Sequence, residues 1–174
     1  INLSYIQLKG DNLVNVIAQY LEELELSGDA VTLELTESVQ LQNFFYFNQK
    51  FYLLSQKGIS IAIDDFGTGY SSLSYLKYLN VDIIKIDKCF INEIQNSEYN
   101  YKLVNSIIDL AHTVGIEVCV EGTETFDEIH TLENLSPDHI QGFYYGKPVN
   151  TEEFTKQYIS ISKEKKDSLF SSHT

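Results

Sequence analysis

Ile59-Ser-Ile-Ala-Ile63 is a short apolar, largely β-branched run, preceded by Gly58 and followed at once by Asp64-Asp65 and the turn Gly67-Thr68-Gly69. Such a run, bounded by turn residues, reads as a strand. The same grammar extends outward on both sides. Upstream, Val31-Thr-Leu-Glu-Leu-Thr36 alternates strictly, and a helical stretch from about Leu41 to Gln56 separates it from Gly58. Downstream, Ser71 to Leu79 reads as a short helix and Val81 to Ile86 as the next strand. Leu103, Val104, Ile107, Ile108 and Ala111 then mark one face of a helix from Tyr99 to Val114, ended by Gly115. Glu117 to Val120 is a further strand, and Thr125 with Glu128 three residues on forms a capping-box spacing for a helix from Phe126 to Leu135.

The ends follow the same logic. Leu13, Ile17, Tyr20, Leu21 and Leu24 stripe a helix from Asp11 to Leu24, broken by Ser27-Gly28-Asp29, while a stretch near His139 to Gly142 and a helix from Thr151 close the ordered pattern. Residues 1–159 are therefore expected to form one domain, with 160–174 a polar tail. Repeated strand-helix units imply an α/β protein with a parallel sheet, either a (β/α) barrel or an open doubly wound sheet.

Composition narrows the function. The chain has 174 residues, 43% of them hydrophobic, enough for one core. A formal charge of −13 argues against duplex nucleic acid and against an anionic membrane, and makes an anionic ligand dependent on cations. Cys89 and Cys119 both lie in apolar stretches and read as reduced, buried thiols, which fits an intracellular compartment. No apolar run approaches the ~20 residues of a membrane span. The chain begins inside a strand-like stretch and contains no methionine, so it is expected to be part of a longer product; all 12 basic residues are lysines.

In both sheet architectures chemistry gathers at the carboxyl ends of the strands. Those positions carry Asn2, Glu34 and Glu37, Asp64 and Asp65, Lys85 and Asp87, Glu121 and Glu124, and Gln141. Strand parity places Glu34 with Thr32, Asp64 with Ala62, and Glu121 with Cys119 on one face. One acidic residue at a strand end is ordinarily a helix cap or a solvated loop residue. Many at one mouth repel strongly unless cations compensate, and oxygen donors without His or Cys favour Mg2+ or Mn2+ over Zn2+. Adjacent aspartates suit a pair of ions, which clamp the attacking and leaving oxygens of a phosphodiester displacement. Glu37, Asp87 and Glu124 either ligate directly or brace the loops behind the ligands. Lys85 is either a counter-ion or the group that orients the nucleophile and stabilises phosphoryl charge. The stretch around Gly67, Thr68 and Gly69 reads as a tight mobile loop over the site.

Asn2-Leu-Ser, Glu34-Leu-Thr-Glu37, Asp64-Asp-Phe-Gly-Thr-Gly, Lys85-Ile-Asp87, Glu121-Gly-Thr-Glu124 and Gln141-Gly-Phe resemble, in order and spacing, the motifs of EAL domains. The resemblance implies a TIM-type barrel in which two Mg2+ or Mn2+ ions activate water to open cyclic di-GMP to pGpG. By position, Asn2, Glu34, Asp64, Asp65 and Glu121 resemble the metal ligands, with Lys85 and Glu121 as catalytic groups. Asp87, Glu124 and Gln141 resemble supporting residues, and Glu37 the glutamate bracing the loop of Gly67, Thr68 and Gly69. The family's Glu-Ala-Leu strand and its substrate-contacting arginine would precede Ile1, so the barrel is expected to be incomplete in this chain. The resemblance also implies a homodimer and an upstream sensory or regulatory domain, which could anchor an otherwise cytoplasmic protein to a membrane. The competing function is a catalytically inactive module that binds cyclic di-GMP or a protein partner.

Overall fold

The computed structural model describes residues 1–36, 44–68, 73–78 and 80–159. The chain divides into two compact units, Ile1–Tyr144 and Tyr145–Thr174. In the second, Asn150 caps a short helix α6 (Thr151–Phe154), its side chain accepting the Glu153 N–H at 3.0 Å, and the chain continues as a π turn, Thr155–Ile159. The 160–174 tail lies outside the described residues.

The first unit holds helices α1 (Tyr5–Lys9), α2 (Leu13–Glu23), α3 (Phe44–Ser55), α4 (Glu98–Thr113) and α5 (Phe126–Glu133). Its strands are β1 (Thr32–Thr36), β2 (Ser60–Phe66), β3 (Ile83–Ile86), β4 (Glu117–Glu121) and β5 (His139–Gln141). All pair in parallel, in the order β1-β2-β3-β4-β5. A doubly wound sheet reverses its strand order part-way, whereas a barrel keeps sequence order. The observed order is that of a TIM-type barrel, seen as an arc that is not closed among the described residues.

Each strand has an apolar back. Leu33 and Leu35, Ile61, Ile84 and Ile86, and Val118 and Val120 are buried in one core with Leu54, Val104, Ile108 and Leu132. Each such side chain contributes roughly 1.5–3 kcal/mol by leaving water. Parity then turns Thr32, Glu34, Ala62, Asp64, Lys85, Cys119 and Glu121 to the opposite, polar face, as in-register pairs Glu34↔Ala62, Thr36↔Asp64, Lys85↔Cys119 and Glu121↔Gln141 require.

Two aspartates stitch the ladder at its entry. Asp82, just before β3, accepts the Ile61 N–H at 2.8 Å, and Asp138, just before β5, accepts the Val118 N–H at 2.7 Å and meets His112 Nε2 at 2.8 Å. Although burial works against the charge on Asp138, these hydrogen bonds hold its carboxyl below the usual range.

Three expectations change. The segment around Asn2 is an isolated parallel bridge to Glu34, because the chain turns directly into α1, where Ser4 and Gln7 form a capping box. The stretch expected as a helix from Ser71 to Leu79 is described as a 3-10 helix over Leu73–Tyr78. Cys119 is buried as expected, but Cys89 is exposed, because Asp87 caps a 3-10 turn, Lys88–Phe90, where a strand's alternation no longer holds.

Candidate active site

Lys85 is the centre of the polar face. Its side chain is buried, and its Nζ lies 2.7 Å from Glu121, 2.8 Å from Glu34 and 3.4 Å from Asp64. Three carboxylates from β1, β2 and β4 thus converge on one ammonium carried by β3. Burial alone would lower the lysine pKa, but hydrogen bonds to Glu121 and Glu34, with the charges of Glu121 and Asp64, more than reverse this and push it up. Burial pushes the Glu121 carboxyl up, and Lys85 only partly offsets this.

The two aspartates at the end of β2 are presented by a bulge. The register runs Ile63↔Ile84 and then Phe66↔Ile86, so β2 fits one residue more than β3 between these pairs. The extra residue is absorbed at Asp65, which adopts φ +55°, in the left-handed region where short polar side chains are tolerated. The shift returns Phe66 to the buried back of the sheet while Asp64 stays on the polar face, its Oδ1 accepting the Asp65 N–H at 3.1 Å. The Thr68 N–H and hydroxyl then close a turn on the Asp65 carbonyl at 3.2 and 2.8 Å. Gly67, at φ +95°, lies under the Phe90 ring, which a Cβ there would meet at 2.9 Å.

At the end of β4, Gly122 has φ +76°, and a Cβ there would overlap the Lys88 side chain. Thr123 is buried, and its N–H and hydroxyl both donate to the Gln141 carbonyl at 3.4 Å. Gln141 is thereby held beside Glu121, its Cα partner. Asn2 pairs with Glu34 and so shares its face. Asp87 accepts the Cys89 N–H at 2.9 Å, which holds its carboxyl low against the opposing effect of burial. Glu124 is exposed one turn beyond Glu121. Glu37 and Gly69 lie outside the described residues.

The structure therefore brings Glu34, Asp64, Lys85 and Glu121 into direct contact, with Asn2, Asp65 and Gln141 on adjoining positions. Among the described residues no three Asp, Glu, His or Cys side chains form a finished cation cage, since the carboxylates converge on the lysine instead. An oxygen-only donor set already gathered around one positive charge fits hard divalent cations.

Sequence reasoning did not anticipate two buried charged residues. Lys50 donates to the Leu8 and Gly10 carbonyls at 2.7 and 2.8 Å, closing the end of α1. Glu128 accepts N–H groups from Glu93, Glu124 and Thr125 at 3.2, 2.9 and 3.0 Å. The capping-box spacing signalled the contact with Thr125 but not the one with Glu93, 35 residues away.

Residues 1–148 match the family model described as EAL domain. The chain is 36% identical over 159 residues to the signaling protein YkoW of Bacillus subtilis, covering 91% of this chain and 20% of that protein. It is 36% identical over 148 residues to the cyclic di-GMP phosphodiesterase PdeA of Borreliella burgdorferi, covering 85% and 22%. The chain thus spans about a fifth of the length of these curated relatives. The EAL domain of Mycobacterium smegmatis DcpA superposes with a TM-score of 0.87 at 37% identity, covering 92% of this chain and 72% of that one. BlrP1 of Klebsiella pneumoniae, in a complex with manganese and cyclic di-GMP, gives a TM-score of 0.79 at 32% identity, covering 85% and 38%.

Proposed function

The chain belongs to the EAL domain family, and on that footing we propose that it hydrolyses cyclic di-GMP to linear pGpG in bacterial second-messenger signalling, with divalent cations, Mg2+ or Mn2+, as cofactors. The observation that carries this reading is the convergence of Glu34, Asp64 and Glu121 on Lys85 at the carboxyl ends of four neighbouring strands. Asn2, Glu34, Asp64, Asp65 and Glu121 are the residues that would hold two cations. Bound there, such a pair supplies the Lewis acidity that lets water attack phosphorus and lets the sugar oxygen leave.

The protein's own groups do the rest. In the hydrolysis the water oxygen bonds to phosphorus, one P–O bond of the ring breaks, and the leaving sugar oxygen takes a proton. The Lys85 Nζ, fixed on the polar face, donates to the attacking water beside Glu121 and keeps its positive charge next to the developing phosphoryl charge. Gln141, Asp87 and Glu124 brace the loops around the ligands. A chain of formal charge −13 repels a cyclic dinucleotide, so cation loading is also what admits the substrate. In the full-length protein the domain works as a homodimer under an upstream sensory or regulatory region.

Among the described residues no helix is long and apolar enough to cross a membrane.

Conversion of cyclic di-GMP to pGpG by the full-length protein, with Mg2+ or Mn2+, tests the proposal. Turnover lost on chelation and in Asp64→Asn is the expected result. Tight binding of cyclic di-GMP without turnover in the folded, cation-loaded protein would identify a binding module instead.

A further inference from the structure

We propose that Glu128 is a positioning residue for the active site, clamping the loop that follows β3 to the loop that follows β4, so that Lys85 and Glu121 are held at a fixed separation. The inference rests on the phosphodiesterase reading of the site and adds a residue that touches none of its ligands.

Glu128 is nearly fully buried at 3% exposure, and both of its oxygens are used. Oε2 accepts the Thr125 N–H at 3.0 Å, the bond a capping box requires, and also the Glu124 N–H at 2.9 Å in the turn Glu121-Gly122-Thr123-Glu124. Oε1 points away from its own helix and accepts the Glu93 N–H at 3.2 Å. Glu93 lies in the connection between β3 and α4, before the 3-10 turn Ile94–Asn96, and it is held at φ +54°, a left-handed conformation costly for a glutamate. A helix cap alone needs neither the second loop nor a strained donor in it.

The two loops also meet at a second point, where Lys88 packs onto Gly122 with no room for a Cβ between them. Both contacts join the same two loops, Lys88–Gly122 close to Lys85 and Glu121 and Glu93–Glu128 farther out. Two separated contacts fix both the distance and the angle between the loops, which a single contact leaves free to pivot. Only a carboxylate serves: the amide of glutamine would turn an NH2 group toward one set of N–H donors.

The test uses the full-length protein and compares Glu128→Gln with Thr125→Ala. The latter removes the Thr125 hydroxyl that accepts the Glu128 N–H at 3.3 Å, breaking the same capping box while leaving the clamp intact. Mn2+ titration by calorimetry, thermal unfolding, and kcat and KM for cyclic di-GMP are read for each. Both variants are expected to unfold at lower temperature, but only Glu128→Gln weakens Mn2+ binding, about tenfold, as loss of a ligand's supporting partner does, and lowers kcat with little change in KM. Equal Mn2+ affinity in the two variants would reduce Glu128 to a helix cap. If the wild type binds no Mn2+, the cation reading of the site fails instead. Should Glu128→Gln not fold, hydrogen exchange of the wild-type protein decides: protection of the Glu93 amide comparable to that of Glu124 supports the clamp, and exchange at a free-amide rate overturns it.

Discussion

The Lys85 ammonium lies 2.7 Å from the Glu121 carboxylate although the two residues are not in register, since Lys85 pairs with Cys119. The lysine leans two residues along its neighbouring strand, toward the carboxyl end of the sheet. There it meets Glu34 and Asp64 from the other side, and it sets three attractions against the mutual repulsion of three carboxylates.

Lys85→Met keeps the bulk of the side chain and removes the charge. At pH 7 it is expected to cost about 3 kcal/mol, the low end for breaking a buried pair because the carboxylates keep some solvent access. Turnover is expected to fall at least ~100-fold. The stability deficit should shrink as pH drops through the carboxylate range, where Glu121, raised by burial, takes up its proton above the ordinary glutamate value. In the wild type the raised lysine contributes its full stability below the ordinary lysine value of about 10.4 and loses it only as pH climbs through the higher folded value. Urea unfolding of both proteins at pH 5, 7 and 10 checks the sign.

Gly122 and Gly115 both have positive φ, +76° and +77°, but only the former has a neighbour where a Cβ would stand. Gly115→Ala should cost about 1–2 kcal/mol for the left-handed backbone alone. Gly122→Ala adds overlap with Lys88, for roughly 1–3 kcal/mol more, and moves the turn that carries Glu121. Denaturant midpoints that coincide for the two variants would contradict this account.

Asp82 and Asp138 do the same work at the entries of β3 and β5, each accepting an N–H from the preceding strand. Asp82→Ala and Asp138→Ala should each destabilise by about 1–3 kcal/mol by leaving an N–H unpaired. Because the Asp138 carboxyl titrates below its ordinary value, its contribution is present above about pH 4 and fades as pH falls through the folded value. Acid unfolding followed by circular dichroism should therefore show a smaller pH dependence in Asp138→Ala than in the wild type.

The thiols should be sluggish despite their different exposure. Burial, first of all, pushes both Cys89 and Cys119 to about 11; Asp87 adds to the effect at Cys89 and Glu121 at Cys119. Iodoacetamide is expected to label exposed Cys89 slowly at pH 7.5, with a rate that rises about tenfold per pH unit up to pH ~10, and to label Cys119 only on unfolding. Fast labelling of Cys89 at neutral pH would refute the assignment.

Much of this molecule could be read from residues alone, and the exceptions share a cause. Alternation in Val31–Thr36 and the apolar run at Ile59–Ile63 located strands and assigned Glu34 and Asp64 to the polar face, because one parity serves a whole strand. Three features resisted. The bulge at Asp65 adds a residue without changing composition, so parity cannot reveal it. The exposure of Cys89 follows from a cap by Asp87 that ends the strand's periodicity early. The second use of Glu128 depends on a contact across 35 residues, which no local pattern encodes.

The sequential order of the strands has a consequence for how the domain comes into being. Among the described residues each strand pairs with the next one along the chain, one helical connection later, so each pairing of the sheet waits only for the following strand. Consecutive pairing of this kind lets a nascent chain add each strand to the one before it as synthesis proceeds. Lys85 follows Glu34 and Asp64 in the chain and precedes Glu121, so the counter-charge for the first two carboxylates is available before the third is made.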